Sequence, residues 1–145
     1  MNSTQIKEKL KTLVQSLAPF AEIDVLYLFG SHAGGRPSDL SDIDLGVLLA
    51  KDVDHEKYFD YRRRLIASFA EILMSDRVDV IILNQAPCFL AFHVMAPRHI
   101  LLDRNPTHRI EFEVKTANAF LDFRPFLEVR KSYVKRQIMQ GDFFG

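Results

Sequence analysis

The spacing of apolar residues in this chain changes several times, and each change marks an element. Ile6, Leu10, Leu13, Val14 and Leu17 recur every three to four residues, which places them on one face of a helix. Ser3 or Thr4 can cap that helix, and Pro19 closes it. Residues 24–29 (DVLYLF) form a short apolar run ending at a glycine, the pattern of a buried strand. Residues 30–41 hold three glycines, a proline and three serines, and predict a turn or loop. From 42 to 49 the alternation is strict: Ile43, Leu45, Val47 and Leu49 share one strand face, and Asp42, Asp44, Gly46 and Leu48 share the other.

Further on, Tyr58, Tyr61, Leu65, Phe69, Ile72 and Leu73 mark an amphipathic helix over 55–74, with both tyrosines at core spacing. Residues 77–83 (RVDVIIL) predict a third strand. Pro87 suits the first turn of a short helix through Met95. A small edge strand is expected over 99–102, and 107–140 is helical in pattern with a kink or break at Pro125. This order predicts a single α/β layer fold within one domain, 1–145, ending in a helical segment of about 106–140.

Composition narrows the function classes. The 145 residues are 48% hydrophobic and 26% charged, ordinary for a globular chain. Nineteen basic and nineteen acidic side chains give no net charge, so direct nucleic-acid binding is not expected. The single cysteine, Cys88, rules out an internal disulfide and reads as a buried small hydrophobe. No secretory signal or membrane-spanning run is visible, so a cytoplasmic location is expected.

The chemistry concentrates between residues 30 and 79. Gly30-Ser31 is followed, after ten residues, by Asp42-Ile43-Asp44. Asp42 and Asp44, two apart on a strand, point the same way and repel unless a cation lies between them. Mg²⁺ suits such a pair, because it prefers oxygen and completes its shell with substrate phosphates and water. Asp79 stands among Val78, Val80, Ile81 and Ile82, where an unpaired carboxylate would be costly. With the third strand beside the second, Asp79 reaches the same site; Arg77 is its alternative partner as an ion pair. Three acids around one or two metals suit in-line phosphoryl or nucleotidyl transfer.

The Gly-Ser pair, the ten-residue gap, Asp42-x-Asp44, the preceding VLYLFG strand and Asp79 in RVDVIIL together resemble the DNA polymerase β-like nucleotidyltransferases. Within that superfamily the chain is most similar to the minimal nucleotidyltransferase (MNT) antitoxins that pair with HEPN toxins, a likeness that includes residues 109–133. The resemblance implies a small mixed β-sheet flanked by α-helices. It implies an Mg²⁺-dependent enzyme, with two ions, that transfers AMP from ATP to a tyrosine hydroxyl of a partner HEPN ribonuclease, neutralising it in a hetero-oligomer. Asp42, Asp44 and Asp79 would be the catalytic and metal-binding residues. Gly30, Ser31 and Arg36 would bind nucleotide, with Ser31 opening a short helix toward the β- and γ-phosphates. A small-molecule acceptor, as in aminoglycoside nucleotidyltransferases, and a non-catalytic antitoxin that acts by binding alone stay open as alternatives.

One departure stands out. Many relatives carry basic residues directly after the serine, where this chain has His32 and Gly34, leaving Arg36 as the loop's single cation. Weaker ATP affinity is an expected consequence. His32 reads as a solvated loop residue, Asp39 as a turn residue, and Arg62-Arg63-Arg64 as a solvated helix face. Of the phenylalanines Phe120, Phe123, Phe126, Phe143 and Phe144, some are expected to pack on the sheet.

Overall fold

The computed structural model describes residues 3–33 and 42–140. Helix α1 (Ser3–Gln15) buries Ile6, Leu10 and Leu13, and Leu17 continues the same apolar face past the helix end. Strand β1 (Ile23–Phe29) is buried along almost its whole length because it is central. It pairs antiparallel with β2 (Ile43–Leu49) on one side and with β4 (Ile100–Asp103) on the other. Strand β3 (Val78–Ile82) pairs parallel with β2, giving a mixed sheet of order β3-β2-β1-β4. A parallel neighbour needs a crossover, and α2 (Tyr58–Leu73) supplies it.

Each face of the sheet is covered, as the alternation requires. Ile43, Leu45, Val47 and Leu49 meet α1 and α2 in one core, with Leu65, Phe69 and Leu73 from α2 at its centre. Val25, Tyr27, Leu48 and Leu83 meet α3 (Cys88–Met95) and α4 (Pro106–Gln140) in the other. Gly46 lets α3 approach closely, because a Cβ there would lie 2.4 Å from Val94 Cγ1. Tyr58 and Tyr61 pack against the first core only partly buried, and the Arg64 guanidinium lies over the Tyr61 ring.

Two expectations about the elements are corrected. Helix α4 passes through Pro125 without a break. Proline removes one intrahelical hydrogen bond, to the carbonyl four residues earlier. That carbonyl belongs to Leu121, which is exposed, so water can satisfy it. Cys88 is only half-buried, since it opens α3 rather than sitting within it. Phe120 stacks on Phe92 of α3, with ring centroids 4.0 Å apart. Phe143 and Phe144, and the side chain of Phe126, lie outside the described residues.

Long-range polar contacts root α4. The bulge in β1 between Ile23 and Val25 brings the buried Asp24 to His108, Oδ2 to Nδ1 at 2.7 Å. The Tyr27 hydroxyl donates to Glu113 at 2.8 Å, and Glu113 also accepts from Arg109 and Arg98. Arg104, just past β4, donates to the carbonyls of Leu17, Phe20 and Ile23 and secures the turn between α1 and β1.

Candidate active site

The acidic residues gather where β2 and β3 begin. Parallel register sets Asp44 directly beside Asp79, and Asp42 lies exposed one residue before β2. Burial raises the Asp44 pKa above the ordinary carboxylate value, and the charges of Asp79 and Asp42 push it further the same way. His32 acts in the opposite direction. The carboxylates are thus close enough to repel one another. Among the described residues they are not closed into a ready-made cage of three ligands. An oxygen-only set left open in this way fits Mg²⁺, which commonly takes one or two carboxylates and completes its shell from phosphates and water.

Gly30 is bound to this site by two constraints. Its φ is +75°, in the left-handed region that disfavours any Cβ, and an added Cβ would lie 2.2 Å from Asp44 Oδ2. Backbone and carboxylate are therefore in contact, and no other residue fits between them. Gly30–His32 forms a single 3-10 turn, closed by the Ala33 amide donating to the Gly30 carbonyl. The helix expected to open at Ser31 is thus only this turn within the described residues, because a 3-10 turn tolerates the abrupt exit from β1 that Gly30 makes. Arg36 and Asp39 lie outside the described residues.

Three features differ from the sequence reading. Asp79 is half-exposed rather than buried, because β3 is an edge strand. It pairs with Arg62 of α2: Nη2 of Arg62 is 2.9 Å from Asp79 Oδ1. Arg62 is therefore not part of a solvated face, although Arg63 is, paired with Asp60 on the surface. A signal existed in the spacing, since residues 58, 62, 65, 69 and 73 fall on one stripe and Arg62 is its only charged member. His32 is not solvated either. Both its ring nitrogens are buried and, among the described residues, have no hydrogen-bond partner. Orphaned polar atoms beside Asp44 fit a site built to take a polar ligand.

A separate cavity of about 470 Å³ opens at the far end of β2, between α3 and α4. Leu48, Lys51, Asn84, Cys88, Glu111 and Lys115 line part of it, and none of the three aspartates does. The sequence offered no sign of it, because its walls come from four separate stretches of chain. No helix among the described residues is long and apolar enough to cross a membrane.

Residues 8–107 match the family model for polymerase beta nucleotidyltransferases, from within α1 to the start of α4. The chain belongs to the polymerase beta nucleotidyltransferase family. It is an α/β nucleotidyltransferase, and Asp42, Asp44 and Asp79 all fall inside the matched segment. No curated protein matches the chain. Solved structures do. A chain of a toxin–antitoxin crystal structure with AMP-PNP is 27% identical, with a TM-score of 0.60, covering 96% of this nucleotidyltransferase and 99% of that chain. A chain of the MntA–HepT toxin–antitoxin structure is 24% identical, with a TM-score of 0.60 over 92% of this chain and 98% of that one. The same values hold for a structure of a tri-AMPylated Shewanella oneidensis HEPN toxin in complex with an MNT antitoxin. The latter two likenesses establish the fold. Coverage above nine-tenths means that the resemblance in shape extends beyond residue 107 into α4.

Proposed function

We propose that this nucleotidyltransferase is an MNT-type antitoxin, which transfers AMP from ATP to a tyrosine hydroxyl of a partner HEPN ribonuclease and so neutralises it. The observation that carries the reading is the in-register pairing of Asp44 with Asp79 against the Gly30 backbone. Matching in nearly full length to a toxin–antitoxin chain solved with AMP-PNP supports ATP as the donor and a protein as the acceptor.

Asp42, Asp44 and Asp79 would hold Mg²⁺, as two ions. When bound, the metal supplies charge to stabilise the leaving pyrophosphate and to acidify the attacking hydroxyl. Gly30, Ser31 and Arg36 are the proposed nucleotide contacts, with Gly30 giving the triphosphate close access to the backbone. The hydroxyl oxygen attacks the α-phosphorus and forms a new P–O bond. The bond from that phosphorus to the α,β-bridging oxygen breaks, and pyrophosphate leaves with the electron pair. The hydroxyl proton passes to Asp79, the half-exposed carboxylate of the set. His32 stands where relatives place a stronger cation, so weaker ATP binding is expected.

The test is incubation with Mg²⁺, ATP labelled at the α-phosphate, and the HEPN-type product of the neighbouring gene. Label on a tyrosine of that protein, with loss of its ribonuclease activity, supports the proposal. Asp42→Asn and Asp44→Asn abolish the transfer while leaving the fold intact. Inhibition without label identifies an antitoxin that acts by contact alone. Neither label nor inhibition points to a small-molecule acceptor.

A further inference from the structure

Arg62 and Asp79 reach each other around the free edge of the sheet. Among the described residues strand β3 has β2 on one side only, so the amide and carbonyl of Val80, which face away from β2, have no strand partner there. Nε of Arg62 donates to the Val80 carbonyl at 2.7 Å, and Nη2 donates to Asp79 Oδ1 at 2.9 Å. The Val80 amide donates to the same Oδ1, also at 2.9 Å. One fork of the guanidinium thus spans a backbone carbonyl and a carboxylate, a geometry that arginine alone among the cationic side chains provides. Asp79 Oδ1 is engaged twice, and neither bond uses Oδ2.

We propose that Arg62 is a positioning residue of the transfer site: it locks Asp79 in one orientation, so that Oδ2 is the single oxygen Asp79 offers to the metal or the hydroxyl proton. The inference rests on the role given to Asp79 above. Stability alone does not account for the arrangement. The Arg62 and Asp79 side chains are 41% and 48% exposed, and an ion pair this open to water adds little to folding. Water could also satisfy the edge carbonyl. What water could not do is fix a carboxylate whose two oxygens otherwise exchange freely. It also could not set a positive charge behind Asp79 while Asp44 lies opposite it in register. Groups that orient metal-binding carboxylates typically change metal affinity or activity by about 10- to 100-fold when removed.

The experiment compares Arg62→Gln and Arg62→Lys with the parent chain. AMP transfer is followed with the co-expressed HEPN-type partner, and binding of Mn²⁺·ATP by the antitoxin is measured by paramagnetic resonance. Both variants are expected to melt within a few degrees of the parent. Both lose kcat and Mn²⁺·ATP affinity by about 10- to 100-fold. Lysine fails because one ammonium cannot span Val80 and Asp79 together. In an Asp79→Asn background, Arg62→Gln has no further effect. Full activity and full Mn²⁺·ATP affinity in Arg62→Gln would overturn the proposal. So would restoration of both by lysine, or an Arg62→Gln loss that persists undiminished beside Asp79→Asn. If Asp79→Asn itself leaves transfer unchanged, the reading of Asp79 fails. Mn²⁺·ATP binding still decides for or against Arg62 where no acceptor is labelled.

Discussion

Asp44 shows the tension between the site and the fold. Burial and two neighbouring carboxylates raise its pKa in the folded chain, whereas the unfolded chain leaves it at its ordinary value, about 4. The folded state therefore holds the Asp44 proton more tightly, and stability falls as pH rises through the folded pKa. Below pH 4 both states are protonated and the penalty vanishes; at neutral pH it is present in full. Asp44→Asn should accordingly raise the melting temperature at pH 7 in EDTA, and the gain should shrink to nothing as the buffer is taken below pH 4. Mg²⁺ with ATP should stabilise the parent and leave the variant unmoved. Thermal melts across pH, with and without Mg²⁺·ATP, check both halves. A variant less stable than the parent at pH 7 would mean that Asp44 serves the fold instead.

Secondary elements were legible in the sequence wherever a period could be counted. The stripe of Ile6, Leu10 and Leu13, the alternation from Ile43 to Leu49 and the run through Val78 to Ile82 each describe an element by itself. Contacts that join elements left no such trace. Asn84 is an example. Past the end of β3, its side-chain oxygen accepts from the Leu49 amide and its nitrogen donates to the Leu49 carbonyl, both at 2.8 Å. The amide thus stands in for the next residue of a neighbouring strand and completes β2, yet no local pattern marks it. Asn84→Ala leaves both Leu49 groups without that partner, in a partly buried place. The expected cost is about 2 kcal/mol, read from urea unfolding followed by circular dichroism. The site divides along the same line. Asp42, Asp44 and Gly30 were readable from spacing, while Arg62 was hidden inside a run of three arginines whose other two members face the solvent or stack on Tyr61.

At the scale of the whole molecule, the sheet and α4 are held together by groups far apart in sequence. Asp24 meets His108, and Tyr27 meets Glu113, 86 positions away. Tyr27 is fully buried in the central strand, so its hydroxyl depends on Glu113 for a partner. Burial is the main cause that lifts the Tyr27 pKa far above the ordinary tyrosine value, and the acceptor carboxylate of Glu113 adds to it. The folded chain thus keeps this phenol neutral at pH values where the unfolded chain ionises it. Above pH 10 each further unit then favours unfolding by about 1.4 kcal/mol, until the folded phenol itself ionises. Tyr27→Phe removes both the hydrogen bond and this liability. At pH 7 the variant should be less stable by about 1 kcal/mol. As pH rises from 10 toward 11 the difference should close and then reverse, because only the parent has a buried phenol to lose. Paired urea titrations at pH 7, 10 and 11 measure the crossing. A parent that keeps its advantage at pH 11 would show that Tyr27 ionises as easily in the folded chain as in the unfolded one. The tie between β1 and α4 would then be open to water, and the root of α4 would be a hinge instead of an anchor.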